Sequence, residues 1–303
     1  MPEHEPYPTP ASVEAAIRHA ARVAASCGPS RDANKRIELE YFNRFLSRVF
    51  SGGSGSEWVL KGGTGILARV SSARATRDID LYRQSFTAAQ ALEDLVRLAG
   101  IDIGDHFRFE YDGHSDSIGN DAQPYTEGYR VKFNIFIGPS AKGSLQVDLA
   151  IGAGITGEIT TAEPAGALAL PRLVSHSYRL YPIVDQIADK VCATMTKYSE
   201  RSSSREKDLV DLVVLAVTQD IEGAALRHAI ATEVRRRRME PIRRFTVPAS
   251  WGVGYAKLSK SVPYCAGCRT VGPASELVTR LIDPALSGAA DQSTWAHENL
   301  VWV

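Results

Sequence analysis

The segment of residues 61–82, KGGTGILARVSSARATRDIDLY, constrains the fold more than any other part of the sequence. An apolar run at residues 58–60 predicts a short strand that breaks at the glycine pair of this segment. A short helix is expected to begin near Ile66, and a second strand with alternating apolar residues covers residues 76–82. A strand, a glycine turn, a helix and a second strand in close succession indicate a domain that mixes helices and strands.

The second predicted strand carries two aspartates, Asp78 and Asp80. Residues i and i+2 of a strand point to the same face, so we expect the two carboxylates to project together. Carboxylates that close repel each other and raise each other's pKa, and a divalent cation removes this cost. Mg²⁺ prefers one or two protein carboxylates and completes its shell with phosphate oxygens and water. The pair therefore predicts a metal site for Mg²⁺ (or Mn²⁺) at Asp78 and Asp80.

A later predicted strand supplies a third carboxylate, Asp148. Its neighbours Val147 and Leu149 would face the core, so Asp148 would face the other way. Two divalent cations about 3.5–4 Å apart can hold the attacking and leaving oxygens of an in-line phosphoryl displacement. On a strand adjacent to Asp78 and Asp80, Asp148 could bind the second metal or assist deprotonation of an acceptor hydroxyl.

Residues Lys61, Gly62, Gly63 and Thr64 form a candidate phosphate-binding turn. Glycine lets the backbone approach an anionic ligand closely, and the amides at the N-terminus of a following helix favour phosphate. Thr64 can donate its hydroxyl to a phosphate oxygen. The turn is not a Walker P-loop, because the G-x₄-G-K-[ST] pattern is absent. A glycine turn by itself usually binds no ligand. The informative signal is that this turn is followed, 14 residues later, by the aspartate pair.

The predicted elements divide the chain into an α+β part with a mixed sheet and a mainly helical part. We place the first domain at residues 1–165 and the second at residues 166–303, where it is expected to complete the active-site cleft. The predicted helices cover residues 12–25, 34–49, 66–70, 88–98, 183–198, 205–217, 223–239 and 273–286. The predicted strands cover residues 57–60, 76–82, 107–111, 129–137 and 144–150.

The composition excludes several classes of protein. The 303 residues carry 35 Lys and Arg against 35 Asp and Glu, and 44% are hydrophobic, as in ordinary globular proteins. No run approaches 18 apolar residues, so no membrane-spanning helix is predicted. The acidic, proline-rich residues 1–10 do not resemble a secretory signal. Four cysteines are too few for a disulfide scaffold, which favours a cytoplasmic setting, and Cys265 and Cys268 lack the second ligand pair of a zinc site.

Four segments together carry a resemblance to a known family. They are KGGTGIL at residues 61–67, ATRDIDLY at 75–82, IADKVCA at 187–193 and REKDLVDLVVL at 205–215. In this order they resemble the AbiEii/AbiGii toxin family of nucleotidyltransferases, which includes the MenT group and supplies the toxins of type IV toxin–antitoxin systems. The resemblance spans about half of the chain and implies a polymerase-β-like nucleotidyltransferase fold.

The resemblance also implies a role for each matching residue. Lys190 would neutralise triphosphate charge, whereas without the resemblance it would be interpreted as a solvent-facing lysine. Asp208 and Asp211 share one helix face and would organise nucleotide or catalytic groups, although Asp208 with Arg205 also fits a surface ion pair. Asp148 matches the family pattern more loosely. The implied catalytic residues are Asp78, Asp80, Asp148, Lys190, Asp208 and Asp211, and the implied nucleotide-binding residues are Lys61, Gly62, Gly63 and Thr64.

A basic stretch lies between residues 226 and 260, where nine cationic residues are opposed only by two glutamates. A helix C-terminus favours cations through its dipole, which accounts for one or two of the arginines. Six arginines within ten residues, with Phe245, Trp251 and Tyr255 nearby, also fit a surface that binds phosphates and stacks bases. The candidate RNA-binding residues are Arg235, Arg236, Arg237, Arg238, Arg243 and Arg244.

The expected function is Mg²⁺-dependent transfer of NMP from an NTP to an acceptor hydroxyl. The resemblance implies that the acceptor is the 3′ end of tRNA, that aminoacylation and translation are blocked, and that a cognate AbiEi-like antitoxin is a partner. No membrane partner is expected. A protein or a small molecule is an alternative acceptor, and a non-catalytic RNA-binding module is a further alternative. The preferred NTP, the tRNA, the number of nucleotides added, the oligomeric state and the antitoxin's mode of action are left open.

Overall fold

The computed structural model describes residues 5–27, 32–74, 76–84, 86–116, 127–152, 154–196 and 203–303. The chain folds into two compact units. The first comprises Met1–Ala153 and Thr161–Leu180, and the second comprises Gly154–Thr160 and Tyr181–Val303. The first unit runs past residue 165 because its sheet includes the strand Tyr178–Leu180, which is too short to show a sequence pattern.

Nine α-helices and ten strands lie within the described residues. The helices are α1 (Pro10–Cys27), α2 (Ala33–Val49), α3 (Gly62–Arg69), α4 (Ala88–Ala99), α5 (Ile183–Met195), α6 (Glu206–Ala216), α7 (Gly223–Arg236), α8 (Val253–Ser259) and α9 (Val271–Ser287). The strands are β1 (Trp58–Lys61), β2 (Asp78–Arg83), β3 (Phe107–Ser115), β4 (Glu127–Ile137), β5 (Ser140–Ile151), β6 (Thr160–Ala162), β7 (Tyr178–Leu180), β8 (Ile221–Glu222), β9 (Thr294–Ala296) and β10 (Val301–Trp302).

The first unit is built on a sheet with the strand order β3-β4-β5-β2-β1-β7-β6. The neighbours β3, β4 and β5 run antiparallel, as do β2 and β1. By contrast, β2 pairs with β5 in parallel, and β1 pairs with β7 in parallel. The sheet is therefore mixed, and with the helices it confirms the predicted α+β fold class.

One face of this sheet forms the hydrophobic core of the first unit. The strands alternate buried apolar residues with polar ones, so that side chains such as Phe133, Val147 and Ile79 point inward. The helices α1, α2 and α4 cover them with residues that include Phe45 and Leu95. Each large apolar side chain buried in this way contributes about 1.5–3 kcal/mol. The alternate positions carry polar side chains to the opposite face, where the candidate aspartates lie.

The second unit is mainly helical, as predicted. Every residue of α6 from 208 to 216 is buried, and α5 and α9 both contact this helix. A small sheet in the order β10-β9-β8 lies beside them, and Trp295 donates its indole N–H to the carbonyl of Ala216 at 2.7 Å. The sequence predicts no element after residue 287, because strands of two or three residues are too short to show a hydrophobic period.

Three helix boundaries differ from the prediction by three or more residues, and the helix α8 is not predicted. The helix α3 begins at Gly62, directly after β1, so the glycine pair and Thr64 form its first turn rather than a turn before it. The helix α7 ends at Arg236, because Arg238 adopts a positive φ of 53°. The helix α5 ends at Met195, and the last two residues predicted for it lie outside the described residues. None of the described helices is both long and apolar enough to cross a membrane.

Candidate functional site

Four charged residues lie side by side across four neighbouring strands of the first unit. The strand register pairs Lys61 on β1 with Asp80 on β2. It pairs Asp80 in turn with Asp148 on β5, and Asp148 with Arg130 on β4. Asp78 lies two residues before Asp80 and shares its face of the sheet. The sheet thus brings together the three carboxylates of the predicted site, and it adds an arginine that the sequence analysis does not identify.

The glycine turn and the aspartate pair are in direct contact through Gly62. This residue has a φ of +61°, in the left-handed region that favours glycine. A β-carbon at residue 62 would lie 1.9 Å from Oδ2 of Asp80. The Asp80 carboxylate therefore lies against the backbone of the first turn of α3, in space that only glycine leaves open.

Thr64 is buried, and its hydroxyl is engaged within the protein. Its Oγ1 donates a hydrogen bond to the backbone carbonyl of Asp78 at 2.7 Å. Thr76 donates to the same carbonyl at 3.2 Å. Two hydroxyls thus hold the start of β2 beside α3. Thr64 therefore positions Asp78 here, which differs from the phosphate hydrogen bond that the sequence analysis expects.

Arg74 lies next to the second glycine of the turn. Its Nη2 is 3.2 Å from the position that a β-carbon at Gly63 would take, and Oγ1 of Thr76 is 3.1 Å from that position. The turn is suited to phosphate, and arginine forms strong, charge-assisted hydrogen bonds with phosphate oxygens. Arg74 is not among the predicted site residues, although it lies inside the informative segment, four residues before Asp78.

Asp148 is held by Arg130 in a bidentate ion pair. Nε of Arg130 donates to Oδ1 at 2.7 Å, and Nη2 donates to Oδ2 at 2.8 Å. The hydrogen bond to Asp148 raises the pKa of the guanidinium against the effect of burial, and the charges of Asp148, Asp78 and Asp80 raise it further. Arg130 is not among the predicted site residues, because only the strand register places this arginine opposite an aspartate.

The carboxylates of Asp78 and Asp80 fit a divalent cation. They project from one face of β2, both are half-buried, and Asp80 lies against the first turn of α3. Within the part of the chain that the structure describes, no three His, Cys, Asp or Glu side chains gather into a metal-binding group. Mg²⁺ takes hard oxygen donors and often only one or two protein carboxylates, so this pair is a sufficient protein contribution.

A second charged cluster joins α5 and α6 in the second unit. Nζ of Lys190 lies 2.6 Å from Oδ2 of Asp211 and 3.3 Å from Oδ1 of Asp208. Arg205 donates to the other oxygen of Asp208 at 2.5 Å. Lys190, Asp208 and Asp211 are all at least 95% buried. Lys190 is therefore not a solvent-facing lysine, and the pair of Asp208 and Arg205 is not a surface ion pair.

The two cations control the charge state of Asp208. Burial acts to raise the pKa of this carboxyl, but Lys190 and Arg205 outweigh burial, so that the pKa lies below its usual range. The carboxylate thus stays ionised in a buried position. Lys190, from the segment 187–193, contacts both Asp208 and Asp211, from the segment 205–215.

The six candidate RNA-binding arginines are not equivalent. Arg237 is buried at the end of α7 and donates to Glu233 at 2.5 Å and to Asp189. Arg236 is half-buried and pairs with Glu233 as well. These two arginines stabilise the second unit, so they are poor candidates for contacts with RNA. The exposed members of the set are Arg235, Arg238, Arg243 and Arg244.

The aromatic residues near these arginines are buried, which corrects the expectation that they stack on bases. Phe245, Trp251 and Tyr255 are all at least 92% buried. Trp251 donates its indole N–H to the carbonyl of Ser203 at 2.6 Å, and the Tyr255 hydroxyl donates to the carbonyl of Cys268 at 2.7 Å. Base stacking needs an exposed ring face, so these residues serve the core of the second unit.

Burial disfavours the thiolate form of both cysteines of the CxxC segment. Cys265 is buried, and burial raises the pKa of its thiol to about 11, with a smaller contribution from Cys268. Burial also raises the pKa of the Cys268 thiol. The thiolate is the nucleophile and the metal ligand, so both groups are in their less reactive form at neutral pH.

Comparisons with known proteins place the chain in a family. No curated protein sequence matches it significantly. Among solved structures, JHP933 from Helicobacter pylori is similar at 15% identity, with a TM-score of 0.44, over 85% of this chain and 95% of that chain. The Megavirus polyadenylate synthase is similar at 15% identity, with a TM-score of 0.30, over 79% of this chain and 38% of that chain.

A family model gives the stronger result. The model of the nucleotidyl transferase AbiEii toxin of type IV toxin–antitoxin systems matches residues 44–285. The matched region contains Gly62, Asp80, Asp148 and the cluster of Lys190 with Asp211. It covers most of the chain, and the mixed sheet is consistent with a polymerase-β-like fold. The chain therefore belongs to the AbiEii nucleotidyl transferase toxin family.

Proposed function

We propose that this protein is a Mg²⁺-dependent toxin that transfers NMP from an NTP to the 3′ end of tRNA. The contact between Asp80 and the backbone at Gly62 supports this proposal most directly, because it joins a carboxylate pair to a turn suited to phosphate. A modified 3′ end cannot be aminoacylated, so translation would stop. Family membership supports the toxin role and an AbiEi-like antitoxin as partner.

The proposed reaction is an in-line displacement at the α-phosphorus of the NTP. The acceptor hydroxyl oxygen forms a bond to that phosphorus, and the bond to the oxygen that bridges to the β-phosphorus breaks. Pyrophosphate leaves with the electron pair, and the hydroxyl proton passes to water or to a carboxylate. Asp78 and Asp80 would hold a divalent cation, which would neutralise charge on the phosphates.

The residues of the first unit would orient the nucleotide. Backbone amides at Gly62 and Gly63 would donate to phosphate oxygens, as helix N-termini do for anions. Arg74 beside Gly63 would add a charged donor. Thr64 would act indirectly, since its hydroxyl already holds the carbonyl of Asp78. This division of roles keeps β2 and α3 fixed while the phosphates bind.

In the second unit, Lys190, Asp208 and Asp211 would act together. A triphosphate would have to compete with two carboxylates for the Lys190 ammonium, since that ammonium lies 2.6 Å from Asp211 and 3.3 Å from Asp208. These contacts favour a structural role for Lys190, in which its ammonium holds α5 against the two aspartates of α6. The implied contact of Lys190 with the triphosphate remains part of the proposal through family membership alone.

The acceptor would bind through exposed cations. Arg235, Arg238, Arg243 and Arg244 are exposed and can contact successive phosphates of a polyanion. Arg244 has Asp283 at 3.5 Å, a long ion pair at an exposed position that a phosphate can replace. A tRNA acceptor carries many phosphates and can contact several of these arginines, whereas a small molecule can contact fewer.

The test is an incubation of the purified protein with Mg²⁺, total tRNA and each α-labelled NTP in turn, resolved on a denaturing gel. We expect label to move with tRNA for one or two NTPs. Label on protein alone would support protein modification instead. A folded protein that transfers no label to any acceptor would contradict catalysis and favour a non-catalytic RNA-binding role.

A pair of variants makes this test specific to the site. Asp80→Asn should lower transfer by about 100-fold or more, because losing even an outer-shell partner of a metal costs 10–100-fold. Asp112→Asn is the matched control, since Asp112 is an exposed aspartate of β3 that pairs with Lys132 on the surface. Equal activity of both variants would show that the site assignment is wrong.

A further inference from the structure

Arg130 and Asp148 form a bidentate ion pair in the first unit. Both carboxylate oxygens of Asp148 accept a hydrogen bond from the guanidinium, at 2.7 and 2.8 Å. The side chain of Asp148 is 13% exposed, and that of Arg130 is 38% exposed. A planar guanidinium matches a carboxylate in this fork geometry, which gives the pair both strength and a fixed orientation.

The pairing of the strands places Arg130 and Asp148 opposite each other, so their contact does not depend only on the reach of long side chains. Arg130 lies directly opposite Asp148 in the β4–β5 register, and Asp148 lies directly opposite Asp80 in the β5–β2 register. Lys132, the next residue on the same face of β4, pairs with Asp112 on β3 at 2.6 Å. The two cations of β4 thus serve different carboxylates, and only Arg130 faces the aspartate row.

A second divalent cation at this row would meet two obstacles. A cation that took an oxygen of Asp148 as ligand would compete with the hydrogen bond that this oxygen accepts from Arg130. It would also lie close to the guanidinium charge, which interacts with Asp78 and Asp80 as well as with Asp148. Like charges that lie next to each other repel strongly, even at an effective protein dielectric constant of about 20.

We propose that Arg130 restricts this carboxylate row to one divalent cation, held by Asp78 and Asp80, by retaining Asp148 in a bidentate ion pair. The guanidinium binds the carboxylate that a second cation would need as a ligand. Arg130 is thus a positioning residue for Asp148 and a determinant of metal stoichiometry. This role presupposes the function proposed above, because the cation at Asp78 and Asp80 is part of that function.

The test counts Mn²⁺ ions bound to the full chain without nucleotide, from the electron paramagnetic resonance signal of free Mn²⁺ during a titration. We expect one ion per chain for the wild-type protein and two for Arg130→Gln. The total Mn²⁺ affinity of that variant should rise by about tenfold, because a repelling charge is removed. In the double variant Arg130→Gln, Asp148→Asn, the count should return to one.

Lys132→Gln is the matched control. It removes the same charge from the same face of β4, two residues away, and should leave the count at one. Thermal unfolding of each variant checks that the fold is intact, which we expect for a side chain as exposed as Arg130.

Three results would overturn the inference. Two ions in the wild-type protein would do so while leaving nucleotidyl transfer untouched. An unchanged count and affinity in folded Arg130→Gln would show that the arginine does not exclude a second cation. Absence of any Mn²⁺ binding at millimolar concentration would remove the single-cation site itself, and the labelled-NTP assay with Asp80→Asn then decides separately whether transfer occurs.

Discussion

The Asp80 carboxylate lies where a β-carbon of residue 62 would be, at 1.9 Å from Oδ2, so Gly62 and Asp80 share one small volume. Asp80 can therefore take this position only if residue 62 is glycine. The short helix α3 turns the chain back so that β2 pairs with β1 beside the glycine.

The first prediction concerns Gly62→Ala. A non-glycine residue in the left-handed region costs about 1–2 kcal/mol, and the new methyl group would also displace the Asp80 carboxylate. We expect nucleotidyl transfer to fall by about 100-fold, since a shift of about 1 Å at a reacting centre can cost that much. Gly53→Ala is the control, because Gly53 has a φ of +58° and nothing within 4 Å of an added β-carbon. Equal transfer rates of the two variants would contradict the steric coupling.

The second prediction concerns the buried ion pair of Arg48 and Asp105. Nη2 of Arg48 lies 2.6 Å from Oδ1 of Asp105, and both side chains are at most 1% exposed. Asp105→Ala should lower the free energy of unfolding by about 3–5 kcal/mol, because it leaves a buried guanidinium charge without its carboxylate. Asp112→Ala, at an exposed pair, should cost at most about 1 kcal/mol. Chemical denaturation measures both, and similar losses would argue against the buried pair.

The third prediction is a pH dependence that arises from Asp208. Its pKa in the folded state is below its usual value, despite burial, because of Lys190 and Arg205. The stabilisation by this carboxylate is therefore complete above the pKa of the unfolded chain, about 3.9, and is lost as the pH falls through the lower folded value.

Asp208→Asn tests this sign. The difference in unfolding free energy between the wild-type protein and the variant should be largest near neutral pH and should shrink as the pH falls below about 4. Denaturant titrations between pH 7 and pH 2.5 measure this difference. A difference that stays constant over the range would mean that the folded pKa of Asp208 is not lowered.

The fourth prediction separates exposed from buried arginines in tRNA binding. Arg243→Ala and Arg244→Ala should each weaken binding and reduce the slope of log K against log salt by about 0.7–1, as expected for one lost phosphate contact. Arg237→Ala should instead destabilise the protein by about 3–5 kcal/mol, since Arg237 is buried with Glu233 and Asp189. Salt-dependent binding curves and thermal unfolding distinguish the two classes. A lower salt slope for a fully stable Arg237→Ala would contradict this division.

The sequence predicts most of the first unit's architecture because its elements are long and strongly periodic. The alternation of apolar and polar residues in β4 and β5 predicts which side chains face the core. The two-residue spacing of Asp78 and Asp80 predicts that both lie on one face of β2. The sequence cannot predict Arg130 as a partner of Asp148, because that contact depends on the register between strands that are distant in the chain.

Burial in the second unit is less visible in the sequence. Arg237 stands in a run of four arginines that looks like a solvated cationic surface, and its acidic partners include Asp189 on another helix. Trp251 and Tyr255 lie in a segment with little periodicity, so their place in the core follows only from tertiary packing. The strands β9 and β10 have three and two residues, below the length at which alternation can be recognised.

The path of the chain between the two units has a consequence for how this protein can be divided. The first unit takes up the chain again at Thr161–Leu180 after the second unit has begun at Gly154–Thr160. A single cut therefore cannot separate the two units with both of them whole. A cut after Leu180 removes Gly154–Thr160 from the second unit, and a cut before Gly154 removes Thr161–Leu180 from the first. A fragment that ends at residue 165 lacks β7 and exposes an edge of β1 to intermolecular pairing and aggregation. Separate expression of two fragments that meet at one cut is therefore not expected to give two complete units.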